Sequence, residues 1–345
     1  MKDRNNLDAY VQCAFLCPTL DESEECLAFA ISVGRELLKS CLGAKCFDES
    51  PTNTHMGHFY DALPARPYLR TLQALVRLAF ENKHYEKSAD NALELMRLCA
   101  GDDMGQRGWL GSMLLRCGRN TEALAFAQAW MVPGAPKRVP YPPPVNEVLT
   151  ADQEEENKYA KAAIAYTGAL AAFRVWGGDA PVARQYLRIA ARACPAVLIK
   201  ILAHVEKPSS LNMNPRSLNG AEDAHDYLSL TQDLWMAPDV WDWADGDPDV
   251  RTLVLRTCAR PGCGKVETEA NGFKRCSACM RACYCSSECQ KMDWKTHKPA
   301  CRERKQLKAL AKKLGQGKPP PKDNSIIYGR IQEVPGGGHV TTGNF

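Results

Sequence analysis

The chain has 345 residues, of which 45% are hydrophobic and 24% charged, so it is long enough for two domains with ordinary globular cores. Its net charge is only +4, but residues 1–250 carry 25 basic and 33 acidic side chains, whereas residues 251–313 carry 16 basic and 5 acidic ones. No apolar run reaches the roughly 18 residues of a membrane span, and the first ten residues lack the apolar core of a secretory signal. We therefore expect a cytoplasmic or nuclear protein with no membrane partner.

The N-terminal part of the chain carries recurring helix start and stop signals. Asp21 with Glu24 predicts a capping box, and Gly43 predicts the end of the helix that follows. Thr150 with Gln153 predicts a second capping box. Alternating runs of β-branched residues are scarce, so strands have little support. The sequence therefore predicts a mainly α fold with antiparallel helix pairs.

A faint helical repeat runs through residues 1–250, which we expect to form one domain. Four segments share a turn followed by an amphipathic helix: 81–98, 116–131, 176–195 and 219–235. Alignment of Lys83 with Gly118 gives a period of 35 residues, close to the ~34 of tetratricopeptide units. An irregular bundle in which alanine is simply a good helix former is the alternative. We predict a tetratricopeptide-like antiparallel array.

A Pro-rich stretch, residues 131–148, interrupts this region with the sequence MVPGAPKRVPYPPPVNEV. So many prolines exclude a helix and predict a loop or a polyproline II segment. Such a segment is most simply a stiff connector. The alternatives are a ligand for an SH3-like partner and an occupant of a groove in the C-terminal module.

Eight potential metal ligands follow in one short segment: Cys258, Cys263, Cys276, Cys279, Cys285, Cys289, His297 and Cys301. They pair as C-x4-C, C-x2-C, C-x3-C and H-x3-C, which suits two tetrahedral zinc ions. A disulfide framework is the alternative, but such frameworks are typical of secreted chains. The spacing therefore predicts two Zn²⁺ ions per chain, and it leaves Cys283 as a spare thiol.

This segment, residues 258–301, resembles a MYND-type zinc finger. The resemblance rests on CSAC (276–279), on YCSSECQ (284–290) and on DWKTHKPAC (293–301). The first pair departs from the usual C-x2-C of that family, because the stretch Arg260-Pro261-Gly262 lengthens it to C-x4-C. Pro261-Gly262 favours a tight turn, so we expect the longer loop to present both thiolates.

The resemblance implies interleaved ligands in two sites. The first site is Cys258, Cys263, Cys285 and Cys289, and the second is Cys276, Cys279, His297 and Cys301. All ligands are protein side chains, so no coordination position is left for a catalytic water. Little apolar material is present in the segment, so metal binding must supply most of its folding free energy, at ~10 kcal/mol or more per site.

The resemblance also implies a peptide site at Gln290 and Trp294, on the short helix expected after the last C-x3-C pair. In similar domains such positions line a shallow groove that takes proline-rich peptides around a leucine. The alternative is that Trp294 only completes the small core of the finger.

The chain is predicted to end in a basic helix, residues 302–314, and a disordered tail, residues 315–345. The basic residues of the helix raise the alternative of nucleic-acid binding. Few aromatics interleave with them, and no base-reading finger spacing is present, so nucleic acid is the less favoured partner.

No enzyme motif accompanies the finger. MYND-like modules occur within some lysine methyltransferases, but the cofactor motif and tyrosine region of a SET domain are absent, as are hydrolase, protease, P-loop and dinucleotide signatures. We therefore expect a zinc-binding adaptor that is not an enzyme and docks Pro- and Leu-containing peptides. A nucleic-acid-associated transcriptional regulator is the alternative, and a methyltransferase relative is a distant third.

Overall fold

The structure is a computed structural model that describes residues 5–50, 52–208, 219–279, 281–313, 330–334 and 338–342. Its helices are α1 Leu7–Ala14, α2 Leu20–Leu42, α3 Arg66–Glu81, α4 Tyr85–Leu98, α5 Leu110–Arg116, α6 Asn120–Met131, α7 Ala151–Glu156, α8 Ala162–Trp176, α9 Pro181–Ala193, α10 Pro195–Leu202, α11 Ala221–Trp235, α12 Pro238–Gly246, α13 Pro248–Val254 and α14 Ser287–Lys313. Its strands are β1 Lys274–Arg275, β2 Cys283–Tyr284, β3 Arg330–Val334 and β4 Gly338–Thr342. Among the described residues no helix is both long and apolar enough to cross a bilayer.

The chain divides into two compact units, Met1–Asn146 with Asp323–Phe345, and Glu147–Lys322. This division falls inside the Pro-rich stretch rather than near residue 250, where the sequence predicts the end of the helical domain. Contacts within the second unit explain the difference. The Arg251 side chain on α13 donates to the carbonyl of Thr268 in the cysteine-rich segment at 2.6 Å.

The first unit is built from helices that pack against their neighbours in the chain, with α3 in contact with α1, α2 and α4. Part of its core is an aliphatic cluster formed by Val11, Ala14, Leu27, Ala74, Leu75 and Leu78. Close approach of α2 to α3 depends on Gly34, because a Cβ there would lie 2.7 Å from Cδ2 of Tyr68. Burial of each large aliphatic side chain contributes about 2 kcal/mol, so this packing stabilises the unit without any metal.

The 35-residue period has a structural counterpart in two identical helix-ending turns. Lys83 and Gly118, the aligned residues, are both left-handed, with φ of 64° and 72°. The amide after each of them donates to the carbonyl five residues earlier, His84 to Ala79 at 2.8 Å and Arg119 to Leu114 at 2.9 Å. This is the bond pattern of a Schellman turn.

The helices that precede the two turns differ in length, 16 residues in α3 and 7 in α5, so the two helix–turn segments are not regular copies of each other. The mainly α fold is confirmed, whereas the tetratricopeptide-like arrangement of the helices stays a prediction.

The capping box predicted at Asp21 and Glu24 is wrong. Helix α2 begins two residues earlier than this box requires, and Thr19 caps it by accepting from the amide of Glu22 at 3.2 Å. Glu24 is 2% exposed and instead accepts from the Lys87 ammonium at 2.6 Å. An ion pair to another helix thus replaces the local cap, and no sequence spacing signals such a contact.

The second predicted capping box is present, since the Thr150 side chain accepts from the amide of Gln153 and the Gln153 side chain returns a bond to Thr150. The helix that it starts is short, however. Helix α7 ends at Glu156, and α8 starts only at Ala162.

The Pro-rich stretch has no helix or strand between Met131 and Ala151. In the first unit, the side-chain amide of Gln128 on α6 exchanges two hydrogen bonds with the backbone of Val145, at 2.7 and 2.9 Å. In the second unit, Gln185 on α9 does the same with Leu149, at 2.8 and 2.7 Å. The two buried glutamines therefore supply hydrogen-bond partners for backbone groups of this extended segment, which has no helix or strand partners of its own.

The helices of the second unit enclose an aromatic core. Tyr166 and Trp235 are fully buried and pack edge to face with ring centres 5.7 Å apart. Their polar atoms are satisfied inside the core, since Tyr166 donates to the carbonyl of Cys194 at 2.8 Å and Trp235 donates to the Tyr227 hydroxyl at 3.0 Å. Four of the helices, α9, α10, α12 and α13, begin with proline, which fits the first turn because its missing N–H has no helical acceptor.

The C-terminal part differs from its prediction in two ways. Helix α14 runs unbroken from Ser287 through Pro299 to Lys313, whereas the sequence predicts two separate helices with the basic one at 302–314. In the tail, β3 and β4 pair antiparallel where disorder was predicted from composition. The β-branched residues Ile331, Val334 and Val340 in these strands favour that pairing. The other residues of 315–345, like residue 314, lie outside the described residues.

Candidate metal centre

The first cluster of thiols joins two distant pieces of chain. The sulfurs of Cys258, Cys263, Cys285 and Cys289 all lie within 4.8 Å of one another. The sulfur–sulfur distances are 3.7 Å for Cys263–Cys285, 3.5 Å for Cys285–Cys289 and 3.8 Å for Cys263–Cys289. Cys258 and Cys289 are buried and Cys263 and Cys285 are half-buried, so the cluster is partly shielded from water.

The second cluster contains three thiols and one imidazole, from Cys276, Cys279, His297 and Cys301. The sulfurs of Cys276 and Cys301 are 3.8 Å apart, and the sulfur of Cys279 lies 3.5 Å from Nε2 of His297. The three cysteines are buried and the histidine is half-buried. Its ring packs edge to face against Tyr284, with centres 6.0 Å apart, which fixes its orientation.

These separations are those of tetrahedral zinc sites. Bonds of ~2.3 Å from zinc to sulfur place two thiolates about 3.8 Å apart, and a ~2.0 Å bond to nitrogen shortens the sulfur–nitrogen edge to about 3.5 Å. A disulfide needs sulfurs ~2.05 Å apart, and all sixteen cysteines are free. The two clusters therefore fit two Zn²⁺ ions, and they do not fit the disulfide alternative.

The two ligand sets are interleaved along the chain. The first set takes ligands from before β1 and from the start of α14, and the second takes them from the β1–β2 turn and from the middle of α14. Neither set is complete without α14, which supplies Cys289, His297 and Cys301. Each metal ion would therefore hold the same helix to a different loop, and the two sites must form together.

The lengthened first loop presents both of its thiols, as expected. The amide of Cys263 donates to the carbonyl of Arg260 at 3.1 Å, which closes a tight turn. Gly262 has a φ of 75°, a left-handed value that suits glycine. The amide of Cys258 donates to the carbonyl of Lys265 at 2.8 Å, so the loop returns to its own starting point.

Two thiols are acidified by backbone amides. The N–H of Lys265 lowers the pKa of Cys263 to about 6, aided by the neighbouring sulfurs. Burial raises the pKa of Cys276, but the N–H of Cys279 and the other groups around it outweigh that effect and bring it to about 6. By contrast, hydrogen bonding to a neighbouring sulfur raises the pKa of Cys285 to about 12. Each metal-free cluster therefore offers one ready thiolate, and metal binding displaces the remaining protons.

Two buried carboxylates that the sequence interpretation missed organise the finger. Glu267 is 3% exposed and accepts from the amides of Arg256 and Phe273, both at 2.9 Å. Asp293 is 7% exposed and accepts from the Tyr284 hydroxyl at 2.8 Å. No spacing rule points to either residue, because their partners lie on other segments. The only signal is that acidic residues are few in this strongly basic segment.

Cys283, the predicted spare thiol, lies outside both clusters. It is buried, and a guanidinium nitrogen of Arg256 donates to its sulfur at 3.2 Å.

A third group of possible ligands, Asp21, Glu24 and His84, lies in the first unit. The ammonium of Lys87 already supplies the positive charge at Glu24, and Asn82 donates to both acidic side chains at 2.8 Å. This group is an ion-pair network that ties α2 to α4.

Gln290 and Trp294 lie one turn apart on α14. Gln290 is half-buried, whereas Trp294 is 42% exposed and its ring centre is 6.1 Å from that of His297. Trp294 therefore contacts a metal ligand and also presents apolar surface to solvent. A depression of about 540 Å³ lies along the other side of α14, lined by Ala282, Ala300 and Leu307 between arginines.

Comparison with known proteins identifies the cysteine-rich segment. Residues 258–301 match the family model of the MYND finger. The chain is 50% identical over 48 residues to an F-box protein of Arabidopsis thaliana, a match that covers 14% of each chain. It is 50% identical over 40 residues to SET domain-containing protein 14 of Caenorhabditis elegans, covering 12% of this chain and 9% of the relative. It is 45% identical over 47 residues to MYND-type zinc finger protein samB of Aspergillus clavatus, covering 14% and 8%.

The chain thus spans only a small part of the curated relatives that it matches, and no solved structure matches it. MYND fingers are in general modules of protein–protein interaction. Residues 258–301 are therefore a MYND-type zinc finger with two zinc-binding clusters, carried by a mainly α protein.

Proposed function

We propose that this protein is a non-catalytic adaptor of the cytoplasm or nucleus, whose finger docks short peptides that contain proline and leucine. The observation that carries the proposal is the position of Trp294. Its indole is 42% exposed, yet it packs beside a histidine that belongs to a metal cluster. An aromatic ring held in place in this way loses little conformational entropy on binding, which suits a peptide anchor.

Gln290 supports this role by its position one turn before Trp294. Its half-buried side-chain amide can both donate to and accept from the backbone of an extended peptide. The same protein uses glutamines in this way elsewhere, since Gln128 and Gln185 each exchange two hydrogen bonds with an extended backbone.

A non-catalytic role is consistent with the ligand sets. Each cluster has four protein ligands, whereas a catalytic zinc keeps a position for water or substrate. The match to the SET domain-containing relative lies in the finger alone, so it carries no methyltransferase activity to this chain. The prediction that the chain is not an enzyme stays a prediction.

The test is a titration of zinc-loaded protein with an array of peptides that place one leucine between prolines. Trp294→Ala should abolish detectable binding, because loss of a buried aromatic anchor commonly costs ~2 kcal/mol or more. The matched control is Met292→Ala, which removes a 67% exposed apolar side chain from nearly the opposite face of the same helix. Both variants should retain two zinc ions.

Leu307→Ala tests whether peptides bind at the depression instead of at Trp294, because Leu307 is 50% exposed and lines the depression. Loss of binding in this variant, with unchanged affinity in Trp294→Ala, would move the peptide site to the depression and refute the Trp294 anchor.

A further inference from the structure

Five cationic side chains form a row along one face of α14: Lys291, Lys295, Lys298, Arg302 and Lys305. Their spacing alternates between four and three residues. At about 100° per residue, this spacing confines all five to an arc of about 80°, and a rise of about 1.5 Å per residue makes the row about 21 Å long. We call these five residues the basic row.

The side chains of the basic row are available for a ligand. Four of them are exposed and Lys298 is half-buried. In the described part of the chain, no ion pair within 4.0 Å involves any of the five.

The acidic residues of α14 do not interrupt the basic row. Asp293 is buried against Tyr284, and Glu303 faces the depression on the other side of the helix. Glu288 lies in the first turn, before the row begins, and its pKa is lowered mainly by its own backbone N–H and by nearby serine hydroxyls. The row is therefore a continuous strip of positive charge.

Such a strip is exceptional in this protein, because the helical units pair their arginines. Arg97 contacts Glu94 and Glu49, and Arg119 contacts three carboxylates. In these two cases the cation has carboxylates beside it on the same or a neighbouring segment. Among the described residues the cations of the basic row form no such ion pair, and the one carboxylate that senses the row is Glu288, whose pKa is lowered in part by the charge of Lys291.

We propose that the basic row binds the phosphate backbone of B-form DNA without sequence preference. Four of its five members are lysines, flexible point charges that contact phosphate oxygens without demanding a fixed geometry. An α-helix about 10–12 Å across fits the major groove, which is ~12 Å wide, whereas the A-form groove of duplex RNA is too narrow. The row contains neither asparagine nor glutamine, and Arg302 is its one side chain with a planar fork suited to guanine.

Phosphate is favoured over an acidic protein surface for a second reason. Lysine is depleted in protein–protein interfaces, whose centres need apolar or aromatic anchors. The basic row contains no apolar residue, and Trp294 lies beside it rather than in it. The basic row is therefore a second proposed binding site, separate from the peptide site at Trp294. An experiment can refute either proposal without refuting the other.

The experiment measures binding of full-length, zinc-loaded protein to a fluorescent 24-base-pair duplex of mixed sequence at several salt concentrations. Five phosphate contacts predict a slope of log K against log salt of about −4.5, from about −0.9 per contact. The double variant Lys291→Gln with Lys295→Gln should bring the slope to about −2.7. A scrambled duplex should bind with equal affinity.

The matched control is Lys265→Gln with Lys274→Gln, which removes the same charge from two exposed lysines of the finger outside the row. This control should leave the slope within about 0.5 of the wild type, because those lysines make no phosphate contact in the proposal. Equal losses in the two double variants would overturn the proposal, because the effect would then follow net charge alone. Absence of binding in 50 mM salt would overturn it as well.

Two further probes test the nature of the partner. A duplex RNA or a poly-glutamate peptide that binds more tightly than the DNA, with the same dependence on Lys291 and Lys295, would replace DNA as the occupant and overturn the proposal. Trp294→Ala should abolish peptide binding but leave the salt dependence of DNA binding unchanged. The peptide proposal and the DNA proposal are therefore tested by different measurements.

Discussion

The helical units and the zinc finger are stabilised by different interactions. The helical units bury leucines, alanines and large aromatics such as Tyr166 and Trp235. The core of the finger consists of Tyr284 and five buried cysteines, with Phe273 at its edge. A helical unit therefore owes its stability to apolar burial, whereas the finger depends on its metal ions.

The same two regions also treat charge differently. In the helical units, arginines are paired with carboxylates on neighbouring helices, as Arg70 is with Asp8. In the finger, the two buried carboxylates, Glu267 and Asp293, bind amide and hydroxyl donors, and the basic row has no ion pair among the described residues. Surface ion pairs contribute little to stability, so this difference concerns binding more than folding.

Loss of a zinc ligand should have the largest effect. We expect His297→Ala to unfold residues 258–301, because structural zinc contributes ~10 kcal/mol or more per site and the interleaved sites share α14. Zinc content should fall below two per chain, and the finger should become sensitive to protease. Hydrogen exchange should show that the helices before the finger remain protected. Unfolding of the entire protein would contradict the separation of the two kinds of stability.

A core truncation in the first unit should give the converse result. Leu27 is fully buried in the aliphatic cluster, so Leu27→Ala should lower the free energy of unfolding by about 3 kcal/mol. Chemical denaturation followed by circular dichroism measures this change. Zinc content should remain two per chain, and the control Phe29→Ala, at a side chain that is 56% exposed, should change stability far less. Loss of zinc from the Leu27 variant would show that the finger depends on this core.

The network around Glu24 should make the first unit sensitive to acid. Although burial raises the pKa of Glu24, hydrogen bonds from Lys87, Asn82 and His84 outweigh that effect and hold the pKa below the ordinary value of a glutamate. Its stabilisation is therefore present above the unfolded pKa and is lost as pH falls through the lower folded pKa.

Glu24→Gln should cost about 2 kcal/mol at pH 7, because it removes charged hydrogen bonds, and the cost should shrink below pH 4. Thermal unfolding between pH 3 and 7 measures it, with the exposed Glu25→Gln as the control. A cost that does not vary with pH would exclude the carboxylate as the cause.

Removal of surface side chains from α14 should have the smallest effect on stability. Trp294→Ala and the paired Lys291→Gln, Lys295→Gln variant should each change the free energy of unfolding by about 0.5 kcal/mol or less, since neither removes a buried contact. Thermal unfolding and zinc analysis measure this. A large loss of stability in Trp294→Ala would make the indole part of the core, as the alternative interpretation holds.

Local sequence patterns predicted the features that depend on nearby residues. The spacing of eight cysteine and histidine residues was enough to predict two clusters, because ligand chemistry and short loops restrict how thiols can meet. The prolines of 131–148 predicted an irregular segment, and the Thr150 capping box is present. The interleaved order of the ligands came from the resemblance to a known family and not from spacing.

Thus the sequence by itself determined the metal chemistry, the helical class and the irregular Pro-rich segment, because each is set within a few residues of chain. Only the tertiary structure decided that Glu24 pairs with Lys87 instead of capping α2, and that Glu267 and Asp293 sit at the centre of the finger. It also decided that one unbroken α14 carries metal ligands, an exposed indole and the basic row. The reason is physical: each of these features depends on which segments meet in space, and a carboxylate or lysine has the same local sequence signal whether or not a partner lies beside it.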